Sequence, residues 1–352
     1  MTDRKKHKKK QAVKIWLIAG ASALAIFAVL ASVILGVYEF NWSNRFFVSA
    51  TKNIPFPALY IRGAGFVSVN EVKSDLQSVK KFYESQDFAK LGMRIDFNTD
   101  QGQKRLKVKE KEIISKLVEN KVVEALAEKQ GIAISNSDVN AELEKNIAQF
   151  GNKDNLMSDL ARLYGWTIDD FSEKVVKPEM YAAKLSENYA GSLDTGAEQE
   201  KAQDLYKQAT AKNADFATIA KENSDGQSGE DGGDLGWSTQ DQLIGPVGEK
   251  AFSMKVGEIS DPVESELGFH ILKLTEKKTD NGVEIVHLSQ IFVKKPTFSD
   301  WLSGQMKNYP VTVFVKEYQW NSGDAKIGFR DSEMQKFEKN LPANSEGDPS
   351  VF

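Results

Sequence analysis

The stretch that decides the fold is Gly232-Gly233-Asp234-Leu235-Gly236-Trp237, followed along the chain by Gly268-Phe269-His270-Ile271-Leu272-Lys273-Leu274. The first run supplies glycines where tight turns need backbone freedom. The second run alternates in the manner of a half-buried β-strand. Upstream, Asp215 stands where a side chain caps the first turn of a short helix. Residues 213–277 therefore predict a small α/β unit with glycine-permitted turns.

As a whole, this segment resembles the parvulin (PpiC-type) peptidyl-prolyl isomerase family. The matching residues occur in the family's order, and they are Asp215-Phe216-Ala217, Ile219-Ala220, Ser224, Gly232 to Trp237, Ala251-Phe252, Gly257-Glu258-Ile259-Ser260-Asp261-Pro262-Val263 and Gly268-Phe269-His270-Ile271. The resemblance implies catalysis of cis-trans isomerisation at X-Pro peptide bonds.

That reaction sets modest chemical requirements. Amide resonance imposes a rotation barrier of ~18–20 kcal/mol, so an X-Pro bond isomerises slowly. A catalyst can hold the proline ring in an apolar pocket, keep water from the carbonyl and stabilise a twisted amide. An apolar cup beside a few polar groups suffices, and no metal or cofactor is required.

The resemblance also implies the catalytic positions. The family's last-strand histidine corresponds to His270, and the histidine of its first strand corresponds to Gln290. Its Cys or Asp corresponds to Gly226, so we take the neighbouring Asp225 as a substitute. The catalytic candidates are therefore His270, Asp225 and Gln290.

The substrate-binding candidates follow in the same way. Leu235 is the leucine of the glycine-rich run, and Ser265 is the hydroxyl residue five positions before the histidine. The proline pocket's methionine corresponds to Leu243, a volume-conserving change. Its phenylalanine corresponds to Val247, which removes an aromatic wall. Phe252 matches a phenylalanine of the following helix.

One family element is displaced. The family's first strand should lie just before the helix predicted from Glu198, but residues 176–197 contain no such strand. Residues 283–294 have the pattern of that strand on the C-terminal side. They either fill the empty place in the parvulin sheet or begin a second, truncated copy. In this alignment His287 points to the strand face opposite Gln290.

Residues 66–196 show helical periodicity. Residues 109–130 carry one apolar stripe, and Ser135 with Asp138 forms a capping pattern before the next helix. This region resembles the SurA/PrsA-type chaperone domain. The stripes indicate core packing or, alternatively, apolar faces left open for unfolded chains.

The N-terminal region differs in charge from the rest. The chain of 352 residues has a net charge of -4. Residues 1–14 form a basic segment, whereas residues 41–352 contain 39 basic and 48 acidic side chains. Residues 15–38 lack charge and are long enough to cross a bilayer. We therefore expect a single transmembrane helix with the basic end in the cytoplasm. The acidic remainder argues against nucleic acid as the partner.

Cysteine is absent and only three histidines occur, which excludes thiol chemistry and disfavours a metal site. The expected fold class is α+β. It comprises the anchor, an all-α chaperone-like domain over 66–196, a parvulin-like domain over 197–320 and a polar tail over 323–352. The expected function is a foldase anchored in the bacterial cell membrane, with its C-terminal domains outside the cytoplasm.

Its partners would be unfolded or newly translocated proline-containing polypeptides, with the lipid bilayer contacted through residues 15–38. The alternative function is a chaperone whose parvulin domain is catalytically weak or inactive. The departures from the family pattern at Gly226, Val247 and Gln290 favour this alternative.

Overall fold

A computed structural model of the chain describes Gly36 and residues 56–85 and 96–341. The described residues divide into two compact units. The inserted unit is Glu187–Leu302, and the outer unit consists of the described residues on either side of it. Both units mix helices with strands, which confirms the expected α+β class.

The inserted unit alternates short helices with strands. In chain order its elements, apart from the helices shared with the outer unit, are a helix Gly196–Ala209, a helix Phe216–Asn223, a 3₁₀ turn Gln227–Asp231, β3 (Asp234–Ser238), a 3₁₀ turn Gln240–Gln242, a helix Gly245–Ser253, β4 (Val263–Glu264), β5 (Gly268–Asp280) and β6 (Val283–Lys294). Asp215 caps the second helix by accepting a hydrogen bond from the amide of Ala217, as its position predicts.

The sheet of the inserted unit is antiparallel, with strand order β3-β6-β5-β4. The strand expected at residues 283–294 is present with those bounds and lies between β3 and β5. It pairs with β5 along nearly its whole length. The segment is therefore an inner strand of this sheet rather than an appendage to it.

Helices cover both faces of this sheet. Phe269 and Ile271 of β5 pack against the helices Gly196–Ala209 and Phe216–Asn223. Leu272 and Leu274 lie in a second cluster with the helix Gly245–Ser253. Because alternate residues of a strand point to opposite faces, His270 lies on the face of Leu272.

The outer unit is built around a long helix. Before the inserted unit, its elements are β1 (Pro57–Ile61), β2 (Gly65–Ser68), α1 (Val69–Ser85), α2 (Asp100–Lys129), α3 (Asn136–Phe150), α4 (Lys153–Asp159), a π-helical turn Leu160–Tyr164, α5 (Ile168–Phe171), a π-helical turn Ser172–Val176 and α6 (Lys177–Ser192). The label α7 denotes the helix Gly196–Ala209 of the inserted unit. After the inserted unit come α8 (Phe298–Met306), β7 (Val311–Val313), β8 (Tyr318–Asn321), β9 (Lys326–Phe329) and α9 (Ser332–Lys339). α6 and α8 each cross the boundary between the units.

The structure confirms the capping pattern and the apolar stripe that were predicted for two helices of the outer unit. Ser135 and Asp138 form the expected capping box at the start of α3. The stripe within residues 109–130 is buried in α2, with Ile114, Val118 and Val122 fully inaccessible to solvent. Core packing is thus the structural role of this stripe.

Residues 66–196, expected to form an all-α domain, hold only the end of one strand, and their other described elements are helices. The outer unit nevertheless contains a sheet. β1 pairs with β2 on one side and with β7 on the other, forming a three-stranded antiparallel sheet. β7 therefore belongs to the outer unit rather than to the parvulin-like domain, which was expected to extend over residues 197–320. Two of the three strands lie more than 240 residues apart in sequence, so no local pattern joins them.

The polar tail expected over residues 323–352 forms regular secondary structure in its described part, up to residue 341. β8 and β9 form a hairpin, and α9 follows it. Tyr318 and Phe329 are almost completely buried, and the Tyr318 hydroxyl donates to the Glu110 carboxylate of α2 at 2.8 Å. A few large apolar side chains anchor this otherwise polar segment to the long helix.

The basic segment 1–14 and the transmembrane helix expected over 15–38 lie outside the described residues, apart from Gly36. Among the residues that the structure describes, no helix has the length and apolar character needed to span a bilayer.

Candidate functional site

Among the polar candidate residues, His270 is the most deeply buried, with 4 % of its surface exposed. Its Nε2 lies 2.8 Å from the Ser265 hydroxyl, and its Nδ1 lies 3.0 Å from Oε1 of Gln290. An amide oxygen only accepts, so Nδ1 carries the proton and donates to Gln290. The Nε2 of the neutral ring then accepts from Ser265.

Strand register brings these groups together. Leu272 lies opposite Gln290, and His270 lies opposite Phe292, so all four side chains share one face. The rings of His270 and Phe292 are 4.7 Å apart between centroids and tilted by 33°. Ser265 belongs to the tight turn before β5, where its hydroxyl also accepts from the amide of Gly268 at 3.3 Å.

The surroundings keep the His270 ring neutral. Burial lowers the pKa of His270 from its ordinary value of 6.5, and the hydrogen bond to Gln290 offsets only part of that effect. At neutral pH the imidazole is therefore a hydrogen-bonding group and an apolar surface rather than a cation.

Asp225 is not brought to His270. Its carboxylate accepts from the backbone amide of Lys294 at 3.0 Å and pairs with Lys201 at 3.2 Å. Gly226 faces the candidate site instead. A Cβ on Gly226 would lie 3.5 Å from Cβ of Phe292 and 3.8 Å from Nε2 of Gln290.

The apolar candidates pack together on the His270 face of the sheet. Leu235, Leu243 and Phe252 are partly buried against the cluster that contains Leu272. Val247 lies within that cluster and is 3 % exposed. The structure thus joins four apolar candidates in one patch, with Val247 as a packed support beneath its surface.

Comparison with known proteins identifies the domain. Residues 182–276 match the rotamase family, described as the PPIC-type PPIASE domain. The chain carries a PpiC-type parvulin domain. The peptidyl-prolyl isomerase resemblance inferred from the glycine-rich run and the His270 strand is therefore confirmed.

Three curated relatives extend the comparison. A foldase protein PrsA from Caldanaerobacter subterraneus is 27 % identical over 252 residues, covering 68 % of this chain and 75 % of that protein. A foldase protein PrsA from Geobacillus kaustophilus is 46 % identical over 68 residues, which cover 19 % of this chain and 24 % of that protein. A chaperone SurA from Chromohalobacter salexigens is 40 % identical over 84 residues, which cover 24 % of this chain and 19 % of that protein. The chain therefore spans less than a quarter of the length of the latter two.

The parvulin match stops before one strand of the sheet. It begins within α6 and ends at residue 276, whereas β6 starts at Val283. The family pattern has its first strand just before the helix that contains Glu198. In this chain α6, a helix over residues 177–192, occupies that part of the sequence instead. Gln290 and Phe292 therefore lie on a strand outside the matched range.

Phe292 was missed as a site residue. It lies two positions beyond Gln290, and alternation along a strand places both side chains on one face. Its backbone is also fixed, because its amide donates to the Ser224 hydroxyl at 3.0 Å and its carbonyl accepts from the Asp225 amide at 2.8 Å. The loop that carries Gly226 is thereby held against β6.

His287 lies apart from these groups, on the opposite face of β6 as the alternation predicts. Its Nδ1 is 2.8 Å from the Thr275 hydroxyl, and its ring meets Trp237 edge-on at 5.3 Å. The parvulin domain therefore contains two histidines in unlike surroundings, which makes His287 a natural control for His270.

Proposed function

We propose that this protein is a membrane-anchored extracytoplasmic foldase that isomerises X-Pro peptide bonds in exported, unfolded proteins. The observation that carries the proposal is the enclosed neutral His270, hydrogen-bonded between Ser265 and Gln290. It lies on the same sheet face as the apolar patch of a PpiC-type domain.

In the proposed mechanism, the proline ring sits on the apolar patch of Leu235, Leu243 and Phe252. Contact with apolar side chains removes water from the prolyl amide, which favours the less polar twisted state over the planar one. His270 supplies a rigid neutral wall because Ser265 and Gln290 fix its orientation. No proton transfer is needed, since only a torsion changes.

Gln290 supplies the polar contact. Its Oε1 is occupied by His270, which turns the donating Nε2 amide toward the space beside Gly226. A carbonyl oxygen next to the twisted amide would accept a hydrogen bond there.

We propose further that β6 takes the place of the family's first strand, which makes the domain a permuted parvulin. Its inner position between β3 and β5 supports this reading over a second, truncated copy. The absence of a strand from residues 176–197, which are described throughout, supports it as well.

The client and location parts of the proposal draw on the relatives' names and the N-terminal sequence. Foldase PrsA and chaperone SurA are named for acting in protein folding, so the outer unit is proposed to hold unfolded chains. Residues 15–38 are proposed to anchor the chain, with residues 1–14 in the cytoplasm of a bacterium.

The second candidate is a chaperone with a weak isomerase site. The engagement of Asp225 by Lys294 and Lys201, together with Gly226 at the family's Cys or Asp position, favours it. The site then lacks the thiol or carboxylate that the family pattern has at the position of Gly226.

Prolyl isomerisation of a short chromogenic peptide by the full chain in detergent separates the two candidates. The foldase proposal expects a rate above background that falls at least about tenfold in His270→Ala, corresponding to about 1.4 kcal/mol. His287→Ala, on the opposite sheet face, should keep the wild-type rate. A background rate in the folded wild-type chain, together with suppressed aggregation of an unfolded client, would support the chaperone instead.

A further inference from the structure

The three-stranded sheet of the outer unit exposes a row of aromatic side chains. Tyr60 of the central strand β1 lies directly between Phe66 of β2 and Thr312 of β7. Directly opposed residues share a sheet face. Tyr60 is 48 % exposed, Phe66 47 % and Phe314, two positions beyond Thr312, 44 %.

The other face of the same sheet is core. Leu59, Ile61 and Val67 are completely buried, and they alternate with Tyr60 and Phe66 along β1 and β2. The alternation fixes the register, so the aromatic residues cannot turn inward without exposing the core. The aromatic face is a rigid part of the fold, and clustered exposed aromatic side chains mark an interaction surface.

The segments that form the three strands carry charges of one sign in their sequence. Residues 56–68 and 303–313, which contain the three strands, the turn between β1 and β2 and the segment leading into β7, include Arg62 and Lys307 and no carboxylate. The chain beyond residue 40 is otherwise strongly acidic. The aromatic face therefore combines apolar rings with basic neighbours in an acidic protein, which complements an anionic, partly apolar surface.

The position of the sheet along the chain limits its distance from a membrane. Residues 39–55, which separate the uncharged segment 15–38 from Phe56, number 17. Even fully extended, they span at most about 60 Å. β1 therefore starts within that distance of the bilayer surface, which gives the aromatic face a high local concentration of lipid.

We infer that the aromatic face docks on the interface of an anionic bilayer, with Tyr60 and Phe66 at headgroup depth and the basic residues against lipid phosphates. This inference rests on the proposed membrane anchor. Tyrosine suits such a boundary because its ring is apolar and its hydroxyl remains hydrated. Docking would fix how the outer unit faces the membrane rather than leaving it on a free tether.

The chain has no cysteine, so a single reporter can be placed cleanly. Thr312→Cys on the aromatic face, labelled with an environment-sensitive fluorophore, is reconstituted as the full chain in vesicles. Asn140→Cys on α3, an exposed helix position, is the matched control. Vesicles contain phosphatidylglycerol or only phosphatidylcholine, with brominated lipids as quenchers.

Docking predicts a blue-shifted emission and bromolipid quenching at position 312 that are stronger with phosphatidylglycerol. Neither effect should occur at position 140. Tyr60→Thr with Phe66→Thr, which keeps strand propensity, should abolish both effects at position 312. Circular dichroism checks that this double variant remains folded.

The inference is overturned if the reporter at 312 escapes bromolipid quenching. A shift that grows with protein concentration but is not quenched would assign the face to a second copy. A shift independent of both lipid and concentration would assign it to this chain's own segment. Flotation with vesicles reports the anchor separately: a chain that floats without quenching at 312 refutes the docking alone, whereas a chain that does not float refutes both.

Discussion

The imidazole of His270 and the side-chain amide of Gln290 meet across two neighbouring antiparallel strands, with Nδ1 and Oε1 3.0 Å apart. A histidine partner at that position, which the family pattern has, can titrate. An amide cannot, and its oxygen only accepts. Gln290 therefore locks His270 in one neutral tautomer instead of sharing a proton with it.

Substitution of Gln290 should move the pKa of His270 in opposite directions. Gln290→Glu places a carboxylate beside Nδ1, which favours the imidazolium and raises the pKa. Gln290→Met keeps the volume but removes the hydrogen bond that raises the pKa, so the pKa falls further. NMR titration of the ring protons measures both shifts. Equal titration of the two variants would show that Nδ1 does not contact residue 290.

The buried neutral histidine should make the protein less stable in acid. Because burial lowers the pKa of His270, the unfolded chain binds a proton below pH 6.5 that the folded domain resists. Stability attributable to His270 is therefore complete above pH 6.5 and declines as the pH falls toward the folded-state pKa. It is constant below both values.

The measurement compares the thermal midpoint of the full chain at about pH 7.5 and about pH 5 with that of His270→Gln. The variant keeps a hydrogen-bonding side chain but loses the titration, so its midpoint should fall less on acidification. An identical fall in both proteins would assign the acid sensitivity to other groups.

Restoring the family's cysteine should be tolerated and should raise activity. The backbone of Gly226 has a φ of -88°, and an added Cβ makes only ordinary contacts with Phe292 and Gln290. Gly226→Cys should therefore fold normally and increase kcat/KM for a proline peptide.

Gly233→Ala is the contrasting control for the same loop. Its φ is +87°, and a Cβ would lie 2.3 Å from the carbonyl oxygen of Gln290. We expect a loss of stability of at least about 1–3 kcal/mol, from the strained backbone alone. Equal melting temperatures for Gly226→Cys and Gly233→Ala would contradict the loop geometry.

Asp225 should act on structure rather than on the reaction. Its carboxylate holds the amide of Lys294, and its pair with Lys201 is solvent-exposed and contributes little. Asp225→Asn keeps an acceptor and should retain wild-type isomerase activity. Asp225→Ala leaves the amide without this partner and should lower stability by about 1 kcal/mol. A large drop in kcat with unchanged stability for Asp225→Asn would instead place the carboxylate in the reaction.

The sequence predicted the parts of the site that depend on strand alternation and on family order. His270, Ser265 and Gln290 were identified in this way, and the structure places them in hydrogen-bond contact. The sequence could not predict that the Asp225 carboxylate points toward Lys294 and Lys201 rather than toward His270. That orientation depends on the hydrogen bonds that the Ser224 hydroxyl and the Asp225 amide make with the backbone of Phe292, a contact between segments 68 residues apart.

The outer unit was harder to predict for the same physical reason. β1 and β7 are short, and their pairing joins chain segments on either side of the inserted unit. The β8–β9 hairpin lies in a polar segment whose order comes from Tyr318 and Phe329 against α2. Tertiary burial of a few side chains outweighs local composition in both cases.

The inner position of β6 predicts that the whole parvulin domain depends on it. Ile291 is completely buried between β5 and the helices on that sheet face, so Ile291→Ala should cost about 2–5 kcal/mol. Val283 begins the same strand but is 52 % exposed, so Val283→Ala should change stability by less than about 0.5 kcal/mol. Denaturant unfolding of the full chain, followed by far-UV circular dichroism, measures both. If Ile291→Ala unfolded at the same denaturant concentration as Val283→Ala, β6 would be an accessory strand, and the permuted parvulin would be refuted.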